Sequence, residues 1–365
     1  MNILFLTNHL NVGGITSYCL TLATGLKKRG HNIYVASSAG ELLPRFIDQG
    51  IKFIQIPIKT KQDLGPKVLM SKFKLINFLK SNQIDILHSN SRTTQILGCL
   101  LSRKTGIPHV STCHGFFKKR FFRRVFPCWG IKTIAISASV KEHLMQDFAV
   151  KEEDIRVIHS GVDVLKFAAI SRDGFGKTKL GLGEGPVVGI IARLSVEKGH
   201  IYLIQAMQEV VSEIPAAQLL IIGEGRMQKG LFALRERLGL QKHIFFIPSI
   251  TDTSEILSVM DIFVLPSTKE GLGLSLMEAM AAGVCVIGTD VGGIKSLIQD
   301  GVNGLVVKPA DARGLSAVIS GLLKDSPKRE SLAREGQRFI AQNFSQEKMV
   351  SETERVYSEC LNLKD

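Results

Sequence analysis

Apolar residues along this chain follow two rhythms. Short continuous runs such as Ile3-Leu4-Phe5-Leu6 and Val187-Val188-Gly189-Ile190-Ile191 are too short for helices and suit strands buried on both faces. Between them, apolar positions recur every three to four residues, the period of a helix with one buried face. In the first half this predicts strands over 3–7, 33–36, 52–56, 84–88, 109–113, 132–136 and 155–158. It predicts helices over 14–29, 68–81, 92–105 and 138–147. The rhythm breaks near 165–185, where Ser171-Arg172-Asp173-Gly174 and Gly181-Leu182-Gly183-Glu184-Gly185-Pro186 are rich in turn formers. It then restarts, with strands expected over 187–191, 218–222, 243–247, 261–265, 284–287 and 304–307. Helices are expected over 199–213, 226–238, 254–258, 274–282, 293–299 and 311–324, and two more in the tail 328–363. Strands alternating with helices imply α/β architecture: parallel sheets with right-handed crossovers, here in two doubly wound domains. In such sheets the loops at the carboxyl ends of the strands carry the ligand-binding residues.

The chain's 365 residues suit two domains, and 45% hydrophobic against 22% charged residues is ordinary for a globular protein. No apolar run approaches the ~18 residues of a membrane-spanning helix. The amino terminus lacks a basic leader segment and reads as a strand. Cys19, Cys99, Cys113, Cys128, Cys285 and Cys360 have no paired spacing, so neither a zinc site nor a disulfide framework is expected, and a reducing cytoplasm fits. The net charge of +13 is uneven. Residues 1–180 hold 27 Lys and Arg against 11 Asp and Glu, and residues 181–365 hold 19 against 22. A basic first half suits phosphates or anionic headgroups, or serves only as a solvated face.

Five constellations carry candidate chemistry. In Leu6 to Thr16, Gly13 and Gly14 stand between a strand and a helix. Such a loop admits either a tight turn or a close approach of backbone amides to a phosphate. It is not a complete G-x-G-x-x-G, and Ala36-Ser37-Ser38 supplies no acid at the end of the second strand, which argues against a dinucleotide. In Ile190 to Gly199, Arg193 ends a buried strand and Lys198 follows at the expected start of a helix. The two read either as a surface arginine and a helix-start lysine or, since a lysine there opposes the helix dipole, as two cations with an anion between them. Such a pair can clamp a diphosphate and stabilise it as it leaves.

The stretch Pro266 to Gly283 is the sharpest. Glu270 lies in the loop before a helix and Glu278 about two turns inside it, so both carboxylates can face one hollow and accept hydroxyl hydrogen bonds. Gly271 and Gly273 keep the helix start free of side chains. His114, before Gly115, ends a predicted strand and reads as either structural or catalytic. Finally, Phe116 to Phe126 sets Phe117, Phe121, Phe122, Val125 and Phe126 on one helical face, and Lys119, Arg120, Arg123 and Arg124 on the other. Lys118 is out of place and able to snorkel. That pattern fits an anionic membrane surface, a packed helix or a nucleic-acid patch.

Taken in order, these motifs resemble glycosyltransferase family 4, a group of GT-B fold. The resemblance rests on Gly13-Gly14, His114-Gly115, His159-Ser160-Gly161-Val162-Asp163, Arg193 with Glu197-Lys198-Gly199, Gly223-Glu224-Gly225, Glu270 to Glu278 and Gly292-Gly293. It implies two Rossmann-like domains facing a cleft: an acceptor-side domain over 1–165, a linker over 166–185, a nucleotide-sugar-binding domain over 186–344, and a helix over 345–365 crossing back. It implies a retaining transferase in which Arg193 and Lys198 hold the diphosphate, Glu270 meets the donor sugar and Glu278 the ribose. Backbone near Gly223, Gly271, Leu272, Gly273 and Leu274 would also meet the donor, with His114 beside the sugar and Gly13-Gly14 at its phosphate. Ser160 stands where the family often has Asn, and Ala192 where it often has Gly.

No Asp-x-Asp metal motif is present, so neither a metal nor a cofactor is expected, and cations and helix amino termini would meet the leaving charge. The expected partners are a nucleotide-sugar donor, a glycan or lipid-linked glycan acceptor such as a lipopolysaccharide core, and an anionic membrane surface, but not nucleic acid. The expected location is the inner face of the cytoplasmic membrane. The competing classes are a sugar-nucleotide epimerase or phosphorylase on a similar scaffold, and a basic nucleic-acid binder.

Overall fold

The computed structural model describes residues 1–60, 65–119, 123, 125–169 and 175–363. The chain divides into two compact units, Met1–Gly161 with Gln346–Asp365, and Val162–Ser345.

Unit 1 is built on a seven-stranded sheet of β1 (Asn2–Leu6), β2 (Asn32–Ser37), β3 (Lys52–Gln55), β4 (Ile86–Ser89), β5 (His109–Cys113), β6 (Lys132–Ala135) and β7 (Ile155–Val157). Its order is β3-β2-β1-β4-β5-β6-β7, and every pairing is parallel. Successive side chains point to opposite faces. Ile3 and Phe5 therefore join a core with Tyr18, Leu22 and Leu26 of the helix Gly14–Lys28, while Leu4 and Leu6 join one with Leu75, Leu79, Ile96 and Leu97. Both faces are covered, which explains why β1 reads as a continuous apolar run. The helix Arg92–Thr105 starts at a capping box of Ser91 and Thr94 and ends at Gly106 in the left-handed conformation.

Unit 2 repeats the plan with β8 (Val187–Ile191), β9 (Gln218–Ile222), β10 (Ile244–Ile247), β11 (Ile262–Leu265), β12 (Cys285–Thr289) and β13 (Leu305–Val307), ordered β10-β9-β8-β11-β12-β13 and all parallel. Val188, Ile190, Leu219, Ile221 and Val264 pack on Leu203 and Met207 of the helix His200–Glu213. In both sheets the strand order reverses beside the first strand, between β1 and β4 and between β8 and β11. Loops leaving those strand ends splay apart and open a crevice.

The doubly wound class thus holds twice. Several details differ from the sequence pattern. The change of unit comes at Gly161–Val162, and the segment expected as a linker carries the helices Val164–Ala168 and Phe175–Lys179 of unit 2. The helix expected over 293–299 is a tighter 3-10 run, Gly292–Ser296. The short helix Leu43–Asp48, begun by Pro44, had no period long enough to announce it. The final helix Gln346–Asn362 belongs to unit 1: Met349, Val350, Val356 and Tyr357 join its core.

That return redistributes the charge. Unit 1 holds 26 Lys and Arg against 14 Asp and Glu, a net of +12, and unit 2 holds 20 against 19, a net of +1. No helix of the described residues is long and apolar enough to cross a membrane.

Candidate active site

In unit 2 the crevice between β8 and β11 is built from two loops, Ala192–Gly199 after β8 and Pro266–Gly273 after β11. Glycines without room for a side chain lock them together. A Cβ on Gly199 (φ +69°) would lie 1.8 Å from the Pro266 carbonyl oxygen, and one on Gly292 (φ +49°) 1.9 Å from that of Glu270. The amide of Thr268 donates to Glu197 O at 2.8 Å and that of Leu194 to Glu224 O at 2.9 Å. Thr289 Oγ1 donates to Ser267 O at 2.5 Å. Gly223 belongs to this frame, since a Cβ there would lie 2.1 Å from Ala192 O.

On this frame the side chains of Lys198 and Glu270 meet. Lys198 Nζ donates to Glu270 Oε2 at 2.5 Å, with the two side chains only 22% and 11% exposed. Ser267 Oγ donates to the same oxygen at 3.1 Å, and the Gly271 amide to Oε1 at 3.2 Å. A carboxylate offers about four lone-pair sites, two on each oxygen, so Oε2 is filled by its two donors and Oε1, with one, keeps capacity for a ligand hydroxyl. Lys198 does not start the helix: it closes the 3-10 turn Val196–Lys198, and Gly199 precedes the helix His200–Glu213. The anion that its place in the sequence called for is here the Glu270 carboxylate.

Arg193 is exposed, two residues past the end of β8. The carboxyl of nearby Glu197 lies below its ordinary range, held first by hydrogen bonds from its own amide and from Ser195, and further by Arg226 and Arg193. Glu278 sits on the helix Leu274–Ala281 and accepts from Thr253 Oγ1 at 2.9 Å, a partner unlike that of Glu270. Gly273 precedes that helix at φ +103°, and its first internal hydrogen bond runs from Met277 N to Gly273 O. The amides of Leu274, Ser275 and Leu276 are left without an acceptor inside the helix. The Leu272 side chain is buried, so this residue can present only backbone to a ligand.

Unit 1 places Gly13 and Gly14 at the exposed start of the helix Gly14–Lys28, and a Cβ on either would meet nothing within 4 Å. The space above these amides is open, as a phosphate loop requires. His114 follows β5. Its Nε2 bonds Asn90 Oδ1 at 3.1 Å, and its ring packs edge-on against Tyr18 with centroids 4.6 Å apart. Burial pushes its pKa down to about 3, so the imidazole is neutral near pH 7. A neutral ring that gives Nε2–H to an amide oxygen keeps a lone pair on Nδ1.

Behind it runs a buried chain that the sequence reading missed. Tyr357 OH bonds His88 Nδ1 at 2.5 Å, His88 Nε2 bonds Thr112 Oγ1 at 2.7 Å, and Thr112 Oγ1 bonds Tyr18 OH at 3.2 Å. It ties the final helix to the residue that supports His114. His88 ends a predicted strand and Asn90 follows it, a placement at a strand end like that of His114. For Thr253 and Tyr357 no local signal exists.

The segment from Phe116 to Phe126 corrects an expectation. Arg120 and Arg124 lie outside the described residues. Arg123, expected on a charged outer face, is buried, with its guanidinium 4.4 Å from the Phe117 ring centroid and 5.8 Å from that of Phe148. Cation–π contact and a hydrogen bond to Lys118 O hold the charge inside. Val125, expected on the buried face, is exposed. Lys118 is exposed, and Lys119 pairs with Asp147 at 2.7 Å. Among the described residues of the segment, Arg123 packs against the domain and Lys119 is paired, so these two do not form the expected basic face.

With this geometry in place, comparison with known proteins gives a consistent result. The model of the family described as Glycosyl transferases group 1 matches residues 135–339, more than half of the chain, and that of Glycosyltransferase Family 4 matches residues 12–165. The chain is 30% identical to a phosphatidyl-myo-inositol mannosyltransferase of Mycobacterium tuberculosis, over 85% of this chain and 83% of that one. It is 27% identical to the UDP-Gal:alpha-D-GlcNAc-diphosphoundecaprenol alpha-1,3-galactosyltransferase of Escherichia coli, over 77% and 76%. Among solved structures, Anabaena HepE in complex with UDP and glucose superposes with a TM-score of 0.87 at 22% identity, covering 98% of this chain and all of that one. WaaG, a glycosyltransferase involved in lipopolysaccharide biosynthesis, gives 0.76 at 19% identity, covering 98% and 99%. At these identities the structural likeness establishes the fold.

Proposed function

The chain belongs to the group 1 glycosyl transferases, and on that premise we propose that it moves a hexose from a nucleotide-diphosphate sugar, with retention, to a lipid-linked glycan of the cell envelope. That it is a glycosyltransferase of glycan or glycolipid assembly follows from the family and its relatives. The finer terms rest on chemistry. The observation that carries them is the Lys198–Glu270 pair at the strand-order reversal of unit 2.

In this reading the donor's diphosphate lies against Lys198 and Arg193. Lys198 is held in place by Glu270 before the reaction, so it stabilises charge as it develops on the leaving oxygen with little reorganisation. The remaining lone pair of Glu270 Oε1 accepts a sugar hydroxyl, and Glu278 accepts those of the ribose. The unpaired amides at Leu274 and Ser275 add donors to the same negative charge. Within unit 1, the open loop at Gly13 and Gly14 suits a phosphate, and the neutral His114 offers a hydrogen-bonding nitrogen without a positive charge. No side chain is assigned as a covalent nucleophile. The acceptor hydroxyl attacks on the face from which the diphosphate departs, and the departing phosphate oxygen takes its proton. With cations already serving the leaving group, no metal is assigned a role.

The support for a lipid-linked acceptor is the pair of relatives whose names specify lipid acceptors, a phosphatidylinositol and a diphosphoundecaprenol. A thermal-shift screen against UDP-, GDP- and ADP-sugars tests the donor. One of them should raise the melting temperature, because a ligand of the folded state alone stabilises it. Nucleotide diphosphate should then be released only when acceptor is added, in EDTA as well as without it. Turnover without acceptor would indicate an epimerase and a phosphate requirement a phosphorylase. A product of inverted anomeric configuration by NMR, or a sugar adduct on the protein by mass spectrometry, would remove the proposed mechanism.

A further inference from the structure

The helix Pro66–Ser81 of unit 1 has two apolar faces where a surface helix needs one. Val68, Ser71, Leu75 and Leu79 are buried against the domain. Leu69, Met70 and Phe73 are 47%, 60% and 69% exposed. At 100° per residue these three fall within about 100° of one another, on the side roughly opposite the buried face. Among the described residues, no other helix exposes three large apolar side chains within five positions. A grouped apolar patch marks an interaction site where a single exposed leucine does not.

The charges around the patch say what it meets. The helix carries Lys67, Lys72, Lys74 and Lys80 and no Asp or Glu. Lys67 and Lys74 lie about 90–115° to one side of the apolar direction and Lys72 about 105° to the other, while Lys80 stands on the same side as the patch. Lys67, Lys74 and Lys80 are exposed, and Lys72, Lys74 and Lys80 form no ion pair among the described residues. An apolar strip flanked by lysines at right angles matches a lipid interface, where the strip enters the acyl boundary and the ammonium groups reach up to phosphate headgroups. A protein partner of ordinary composition would need acids along both flanks. The net charge of unit 1, +12, adds long-range attraction to the same surface.

We propose that the Pro66–Ser81 helix docks unit 1 on an anionic lipid bilayer, with Leu69, Met70 and Phe73 inserted and Lys67, Lys72, Lys74 and Lys80 on the headgroups. The proposal rests on the reading above only for its purpose, which is delivery of the enzyme to a lipid-linked acceptor; the docking itself is measured without turnover.

The full chain is sedimented with vesicles of phosphatidylcholine alone and of phosphatidylcholine mixed with phosphatidylglycerol. The wild type should pellet with the mixed vesicles, less so as salt is raised, and little with phosphatidylcholine alone. The triple variant Leu69→Ser, Met70→Ser, Phe73→Ser and the double variant Lys72→Glu, Lys74→Glu should each bind the mixed vesicles roughly tenfold or more weakly. Both should keep the wild-type melting temperature and nucleotide-sugar shift, because all five positions lie outside the donor site. Loss of the shift in the wild type would tell against the transferase reading and leave this result standing. Wild-type pelleting by both variants, or no pelleting of the wild type, overturns the proposal. So does a dimer by light scattering that the triple variant dissolves with no vesicle binding, which would give the face to a second copy of the chain.

Discussion

Lys198 and Glu270 come from loops 72 positions apart in the chain, yet each limits what the other can do. Paired, the lysine is tethered at the crevice and the carboxylate accepts hydrogen bonds from three donors. Lys198→Ala should lower kcat/KM by about 10²–10³, the range for removing one fixed donor to a developing anion. Glu270→Ala should cost a comparable factor, by freeing the lysine as well as removing the sugar contact. The two losses should add to less than their sum in the double variant, because the first removes part of what the second acts through. Steady-state kinetics on the three proteins decides it; near-wild-type turnover in either single variant would exclude this pair as the centre of the site.

Among elements, the loops around β8 and β11 depend on glycine for two separable reasons, and two glycines separate them. Gly199 and Gly239 share φ +69°, but a Cβ on Gly199 would collide with the Pro266 carbonyl, whereas one on Gly239 meets nothing within 4 Å. Gly239→Ala should therefore cost only the left-handed penalty, ~1–2 kcal/mol. Gly199→Ala should cost more and should also displace Lys198 from Glu270, lowering donor binding. Thermal unfolding with and without nucleotide sugar separates the two effects. Equal melting temperatures for the two variants would mean that the contact of Gly199 with Pro266 does not matter.

At the scale of the whole molecule, histidine burial sets the response to acid. Burial pushes the pKa of His88, His109 and His114 in unit 1 down to about 3, and that of His200 in unit 2 to about 4, from an ordinary 6.5. Above pH 6.5 neither the folded nor the unfolded chain protonates them, and they leave stability unchanged. As the pH falls below 6.5 the unfolded chain takes up protons that the folded rings refuse, so stability declines until the folded pKa values are reached. Three of the four rings lie in unit 1, which should lose stability faster between pH 6.5 and 4 than unit 2. Calorimetry across that range checks the order. Transitions that do not shift between pH 7 and 5 would show that these rings are more open than the structure has them.

The order of strands and helices was legible in the chain because burial on both faces and burial on one face leave different periods. The glycine and proline punctuation fixed many element ends to within two residues, as for 218–222 between Pro215 and Gly223. Lys198 and Glu270 stand out in the chain because they lie in loops that follow buried strands, and His114 because it directly follows one. Local sequence could not show which of those residues touch. The pairing of Lys198 with Glu270, and the reach of Tyr357 through His88 toward His114, join positions 72 and 269 apart. Only strand order and crossover decide such meetings. Amphipathic pattern misled for the same reason. The period sets Arg123 on a charged face yet it is buried, and Leu69, Met70 and Phe73 are apolar yet exposed. A hydrophobic period says that a face seeks cover, and only the folded domain decides whether a neighbouring helix provides it or leaves it to solvent.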